Sequence, residues 1–192
     1  MAPRRRKKSR LGTLCLALFT FCVLVATALV AGKSMGKMMS EPASLKELAA
    51  DLQFDRLVVD KAEHRLTAYA GDEAVRVYCI ALGPNPVGHK ERQGDGKTPE
   101  GVYFVDGKNP NSKFYKNLGV SYPNETDRAK AAELGADPGG DIKIHGLPPG
   151  QEHLGKTHWM QDWTAGCIAV SNEEIDELYA HTPVGTPIEI RP

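Results

Sequence analysis

Two kinds of hydrophobic patterning divide the chain near residue 54. Residues 11–31 are largely apolar and uncharged, whereas from Phe54 onward short apolar runs alternate with polar positions. The first pattern is apolar on every face of a helix, which suits hydrocarbon surroundings. The second has the period of strands that bury one face. Strands are predicted at Leu57-Val58-Val59 and at residues 65–69, 75–81 and 102–105, then at 118–122, 141–145, 167–170 and 187–191. Turn signals punctuate them at Ala70-Gly71-Asp72, Gly83-Pro84-Asn85-Pro86 and Gly107-Lys108-Asn109-Pro110. Many short strands with Gly/Pro turns predict a mainly β sandwich or barrel, not a βαβ fold.

A few helices interrupt the series. Thr126 or Asn124 is placed to cap a helix over 127–134 that Gly135 stops. Ser171-Asn172-Glu173-Glu174 is a capping box, with Ile175, Leu178 and Tyr179 as the buried face behind it. Ser44-Leu45-Lys46-Glu47 is another, with Leu45, Leu48 and Leu52 at helical spacing. The expected organisation is therefore a basic head (1–10), a membrane helix (11–31), a connector with a short helix (32–53) and one catalytic-sized domain (54–192).

Charge sharpens this division. The chain has 24 basic and 24 acidic residues, but six of the basic ones lie in residues 1–10, where no acid does. Cations ahead of hydrocarbon keep the N-terminus cytoplasmic and export the residues on the far side of the apolar run. The run from 11 to 31 is long enough to span a bilayer and is read as a retained signal anchor. Cleavage near Ala26-Thr27-Ala28 or Val30-Ala31-Gly32 is the alternative, and either way the body is exported. From Leu11 onward 18 basic residues face 24 acidic ones, a balance of about −6 that argues against nucleic acid as a partner.

Cys15 and Cys22 belong to the apolar run, leaving Cys79 and Cys167 in the body. Two cysteines make no disulfide framework, so the domain must stand on its core. Cys79, inside an alternating strand, is read as buried. Cys167 lies in Thr164-Ala165-Gly166-Cys167-Ile168-Ala169-Val170, where Ile168 and Val170 share one strand face and Cys167 and Ala169 the other. Gly166 leaves the sulfur open to approach and lets the backbone bend. Such a thiol suits a nucleophile; a small apolar core residue is the competing reading. In Asp141-Ile142-Lys143-Ile144-His145-Gly146 the histidine ends a strand, placed to take the proton of a thiol on a neighbouring strand. Backbone N–H groups of Gly166, Cys167 and Gly146 are the candidate oxyanion donors.

These residues carry a resemblance. Ile144-His145-Gly146, a gap, then Thr164-Ala165-Gly166-Cys167-Ile168 resembles the YkuD-type L,D-transpeptidase catalytic domain, nearest its YafK-like branch. The likeness runs from about residue 54 to 192. It takes in Gly83-Pro84-Asn85-Pro86-Val87-Gly88, the Gly94-Asp95-Gly96-Lys97-Thr98-Pro99-Glu100-Gly101 run and Ser121-Tyr122-Pro123-Asn124. It implies Cys167 as nucleophile on peptidoglycan stem peptides, His145 as its base, and no metal or organic cofactor. Ala165 stands where the family usually has a second histidine, and Ala169 where it usually has an arginine, a natural partner for a substrate carboxylate. Three outcomes are open on this basis: transpeptidation at diaminopimelate; hydrolysis, as an L,D-carboxypeptidase or an amidase freeing a wall-linked lipoprotein; and a wall-binding module without catalysis.

Other chemistry is weaker. His145, His153, His158 and Cys167 are zinc-ligand types at spacings no common zinc site uses. Gly96-Lys97-Thr98 looks like the end of a phosphate loop, but Glu91 stands where the first glycine belongs and Pro99 comes next. Trp159, Trp163 and Thr164 beside the cysteine are candidates for lining a stem-peptide cleft. Asp162 and Glu152 are read as solvated loop charges.

Overall fold

The computed structural model describes residues 48–192. The basic head, the apolar run, most of the connector and the Ser44 capping box lie outside the described residues. Among those described, no helix is long and apolar enough to cross a membrane.

One eight-stranded sheet, in the order β3-β2-β1-β8-β4-β5-β6-β7, organises the domain. Strand β1 (Arg56–Asp60) pairs antiparallel with β2 (Arg65–Ala70), which turns at Gly71 into β3 (Glu73–Cys79). The last strand, β8 (Pro187–Arg191), inserts parallel to β1 and antiparallel to β4 (Gly101–Ser112). A hairpin joins β4 to β5 (Tyr115–Val120), and β6 (Lys143–His145) and β7 (Ile168–Ala169) complete the order. Just beyond β3, Ala81 exchanges both backbone hydrogen bonds with Ala169 of β7, at 3.0 and 2.9 Å. The two edges of the sheet therefore meet at this point. The expected sandwich or barrel is realised as a single curled sheet, mainly β as predicted.

The concave face holds the core. Leu57, Val59, Leu66, Leu118, Ile144 and Ile168 are fully buried there. Helix α1 (Glu125–Glu133) is capped by Asn124, whose side chain accepts the Asp127 N–H while Asp127 accepts that of Asn124. Helix α2 (Asn172–His181) has the same arrangement between Ser171 and Glu174, and it buries Ile175 and Leu178 completely.

Several expectations are corrected. Gly107 to Pro110 do not turn the chain: they lie inside β4, where register shifts on either side of Lys108 and Asn109 absorb the glycine and proline. The hairpin turns instead before Tyr115, which has φ 68°. Leu48 and Leu52 pack against the core from a turn closed by Leu52 N–H to Ala49, not from a helix. Cys79 is exposed, because Tyr78 and Ile80 take the inward positions of its strand. Ala169 is as buried as Ile168 and Val170, since β7 lies between β6 and Ala81. A 3-10 segment, Glu152–Met160, broken at Gly155 (φ 43°, ψ −128°), has no apolar period to announce it.

Loop 83–100, between β3 and β4, is held from below. Buried Lys61 donates to the carbonyls of Gly88 (2.7 Å) and Thr98 (3.0 Å) and to Glu100 Oε1 (2.7 Å). Within the loop, burial would raise the Asp95 pKa, but the Lys90 ammonium and the N–H groups of Arg92, Glu91 and Lys97 hold it near 2. A side chain at Gly83 would put its Cβ 2.1 Å from the Gly96 carbonyl, so the two loop arms touch backbone to backbone.

Candidate active site

Strand β6 delivers His145 to one wall of a cavity of about 710 Å³ whose lining includes Cys167. Parallel pairing sets Ile144 against Ile168 and His145 against Ala169. One residue back, Cys167 falls level with Lys143, on the face His145 also occupies.

The imidazole is tightly held. Its Nδ1 lies 2.7 Å from the Gly146 carbonyl, which makes Nδ1–H the donor and leaves Nε2 as the basic nitrogen. The ring stacks on Phe114 at 4.4 Å and meets Trp163 edge-on at 5.7 Å. Burial pulls its pKa down to about 4, against the Gly146 bond, which acts to raise it. Gly146 is required where it stands: a Cβ would lie 2.6 Å from Asn172 Oδ1 and 3.0 Å from Ile175 Cγ2. Asn172 Oδ1 also accepts the Leu147 N–H at 2.8 Å, so the start of α2 pins the chain just after the histidine.

Cys167 ends a loop tied on three sides. Thr98 Oγ1 donates to the Gly166 carbonyl (2.9 Å), Thr164 Oγ1 to the Cys167 carbonyl (2.7 Å), and Thr164 N–H to Leu82 (2.9 Å). Gly166, at φ 127°, sits where a Cβ would be 2.5 Å from the Lys97 carbonyl. The thiol lies 3.5 Å from the Asp141 carbonyl. Burial pushes its pKa up, while the Lys143 N–H and ammonium act to lower it.

The expected oxyanion donors separate. The Gly166 N–H is engaged by Thr164 Oγ1 at 3.1 Å and the Gly146 N–H by the Lys116 carbonyl at 3.2 Å. The Cys167 N–H makes no hydrogen bond among the described residues. None of the three cleft candidates lines the cavity. Trp163 packs behind His145, Thr164 is buried inside the cysteine loop, and Trp159 is half-exposed on the 3-10 segment. Asp162 is no free loop charge: it accepts the Leu82 N–H at 2.7 Å and faces His64 Nε2 at 3.0 Å.

His153 bonds the Gly150 carbonyl and His158 lies buried against Glu174. Among the described residues no three His, Cys, Asp or Glu side chains gather as a metal site. The walls that sequence reasoning missed come from the β4–β5 hairpin, notably Asp106, Phe114 and Asn117, with Lys143 on the floor. Alternation with His145 was a signal for Lys143. Nothing local marked the hairpin, whose place depends on pairing across the sheet.

A curled β-sheet that brings a cysteine just ahead of one strand and a histidine on the adjacent parallel strand to the same face, over a shared cavity, defines a narrow class of domain. The chain belongs to the YkuD family, the L,D-transpeptidase catalytic domain, whose model matches residues 55–190. It is 34% identical to YafK of Escherichia coli K12 over 104 residues, 53% of this chain and 35% of YafK. To YqjB of Bacillus subtilis it is 27% identical over 137 residues, 70% of this chain and 69% of that one. Among solved structures it resembles the helical cell shape determining protein Pgp2 of Campylobacter jejuni (K307A mutant). That match is 25% identical with a TM-score of 0.51, covering 73% of this chain and 48% of Pgp2. Bd1075 of Bdellovibrio bacteriovorus shares the fold at 24% identity and TM-score 0.50, covering 79% of this chain and 53% of that one. The chain thus matches about a third of the length of YafK and about half that of Pgp2.

Proposed function

We propose that this chain is a cysteine acyltransferase acting on peptidoglycan stem peptides, with transpeptidation at the L-centre of diaminopimelate as its reaction. The observation that carries this reading is the Nδ1–H bond of His145 to Gly146, which leaves a basic Nε2 on the cavity that Cys167 lines. Family membership supports it from a separate direction.

Cys167 Sγ attacks the carbonyl carbon as its proton passes to His145 Nε2. A sulfur–carbon bond forms, and collapse of the tetrahedral intermediate breaks the carbon–nitrogen bond. His145 returns the proton to the departing D-amino acid. An acceptor amine then attacks the thioester and restores the thiol. Burial disfavours charge on both partners, so the resting pair is a neutral thiol and a neutral imidazole. The proton therefore moves with the attack and is not transferred beforehand. The Cys167 N–H is the donor assigned to the oxyanion. The apolar run at 11–31 behind its basic head supports a domain tethered at the cell envelope, facing the wall.

The test is to incubate the full-length chain with diaminopimelate-containing tetrapeptide muropeptides and with lipoprotein-linked sacculi, and to read the products by mass. Cross-linked dimers or exchanged terminal residues, lost in Cys167→Ala, are expected. Tripeptides or freed lipoprotein would make water the acceptor and the chain a hydrolase. Sacculus binding with no cysteine-dependent product would sink the enzymatic reading.

A further inference from the structure

We propose that Lys143 and Asp106 read the two charges at the far end of the donor's side chain, an α-amino-acid centre bearing one carboxylate and one ammonium. The proposal rests on the acyl-transfer reading above and names what that site selects.

A row of residues crosses the sheet at one level. Gly119 of β5 is in register with Lys143 of β6, and Lys143 is level with Cys167 ahead of β7. The Asp106 carboxylate lies over Gly119, where an added Cβ would come 1.9 Å from Asp106 Oδ1. Glycine at 119 therefore does more than fill a strand position: its missing side chain leaves room for the acid to lie along the cavity floor. All four residues line the same cavity. Strands about 4.8 Å apart place the cation one spacing from the nucleophile and the acid about two.

Both charges are available to a ligand. The ion-pair partner of Lys143 is Asp141, at 3.4 Å, and that carboxylate is 96% exposed. A long pair with one partner in open water yields readily to a better-placed carboxylate. Asp106 has no ion-pair or hydrogen-bond partner among the described residues. Lys108, by contrast, is committed to the Tyr179 and Thr182 carbonyls. Once Cys167 holds the L-centre of diaminopimelate, its side chain runs along this row. Three methylenes carry the second amino-acid centre to Lys143 and Asp106, carboxylate to cation and ammonium to acid. Buried Ala169 offers no charge to compete for either group.

The test compares tetrapeptide donors: free, amidated on the side-chain carboxylate, N-acetylated on the side-chain amine, and amidated at the C-terminus. KM and kcat are measured on the full-length chain, and Kd by calorimetry on Cys167→Ala. Side-chain amidation is expected to weaken binding about 10- to 100-fold, the range of one charge-assisted hydrogen bond. Lys143→Met should erase that gap and Lys143→Arg keep it, while Asp106→Asn should erase the gap for N-acetylation. A gap that persists in Lys143→Met, disappears instead in Lys113→Met (Lys113 also lines the cavity, from the β4–β5 turn), or tracks the C-terminal carboxylate overturns the proposal. Because Kd is read without turnover, a gap in binding with no turnover removes the acyl-transfer reading and leaves the charge reading standing. Turnover with no gap does the reverse.

Discussion

Thr164 and Cys167 are joined by a hydrogen bond that closes the nucleophile loop on itself. Thr164 Oγ1 donates to the Cys167 carbonyl at 2.7 Å, and the same oxygen accepts the Gly166 N–H at 3.1 Å. One hydroxyl thus satisfies a buried donor and a buried acceptor, and it fixes the backbone on which the thiol stands. Thr164→Val keeps the shape and removes both bonds. The expected loss is about 2 kcal/mol of stability, with a drop in kcat, and Thr164→Ser should restore most of both. Urea melts beside steady-state rates check this; an unaffected Thr164→Val would show the loop to be held elsewhere.

His145 makes stability depend on pH. Its pKa is about 4 in the fold, against about 6.5 in the unfolded chain. Between these values the unfolded state binds the extra proton, so acid favours unfolding. The stability in question is fully present above pH 6.5 and lost as pH falls towards 4, amounting to about 3 kcal/mol. Denaturation curves from pH 7.5 to 4, compared between wild type and His145→Gln, should show a shallower decline in the variant. Equal slopes would mean that the ring is not held neutral.

Gly166 is held by sterics. An alanine there meets the Lys97 carbonyl at 2.5 Å, a backbone atom that cannot turn aside, and it must also adopt φ 127°. Gly166→Ala should cost about 3 kcal/mol or more and abolish turnover. Gly107→Ala, with nothing within 4 Å and no positive φ, should stay within about 0.5 kcal/mol of wild type. Thermal melts of the two variants settle the comparison; similar losses would contradict the close approach.

Asp162 supports the site from outside the cavity. Its carboxylate takes the Leu82 N–H at 2.7 Å, and the Leu82 carbonyl takes the Thr164 N–H, linking the strand end to the cysteine loop. Asp162→Ala should destabilise by about 1–3 kcal/mol and lower kcat, whereas His64→Gln should have the smaller effect. If His64→Gln proved the more damaging, the His64 contact and not the Leu82 bond would be the working one.

Much of the local structure was legible in the chain because it depends on near neighbours. The cap at Asn124 and the capping box at Ser171 are satisfied within four residues, and the runs around Leu66 and Ile188 alternate because one face of each strand is buried. The Ile144-His145-Gly146 and Gly166-Cys167 motifs likewise sit on short stretches whose residue types state their own demands. Cys79 shows how a correct strand still misleads: alternation placed Tyr78 and Ile80 inward, and the cysteine had to take the other face.

Sequence alone determined that this is a mainly β domain of the YkuD family, with a histidine ending one short strand and a cysteine at the start of another. Tertiary structure decided what surrounds them. Engagement of the Gly146 N–H by the Lys116 carbonyl, Trp163 behind the imidazole instead of in the cleft, and Asp106 folded over Gly119 each join residues far apart in the chain. The physical reason is that register and curvature are properties of strand pairs. Only when β4, β5, β6 and β7 lie side by side do Asp106, Gly119, Lys143 and Cys167 fall on one line.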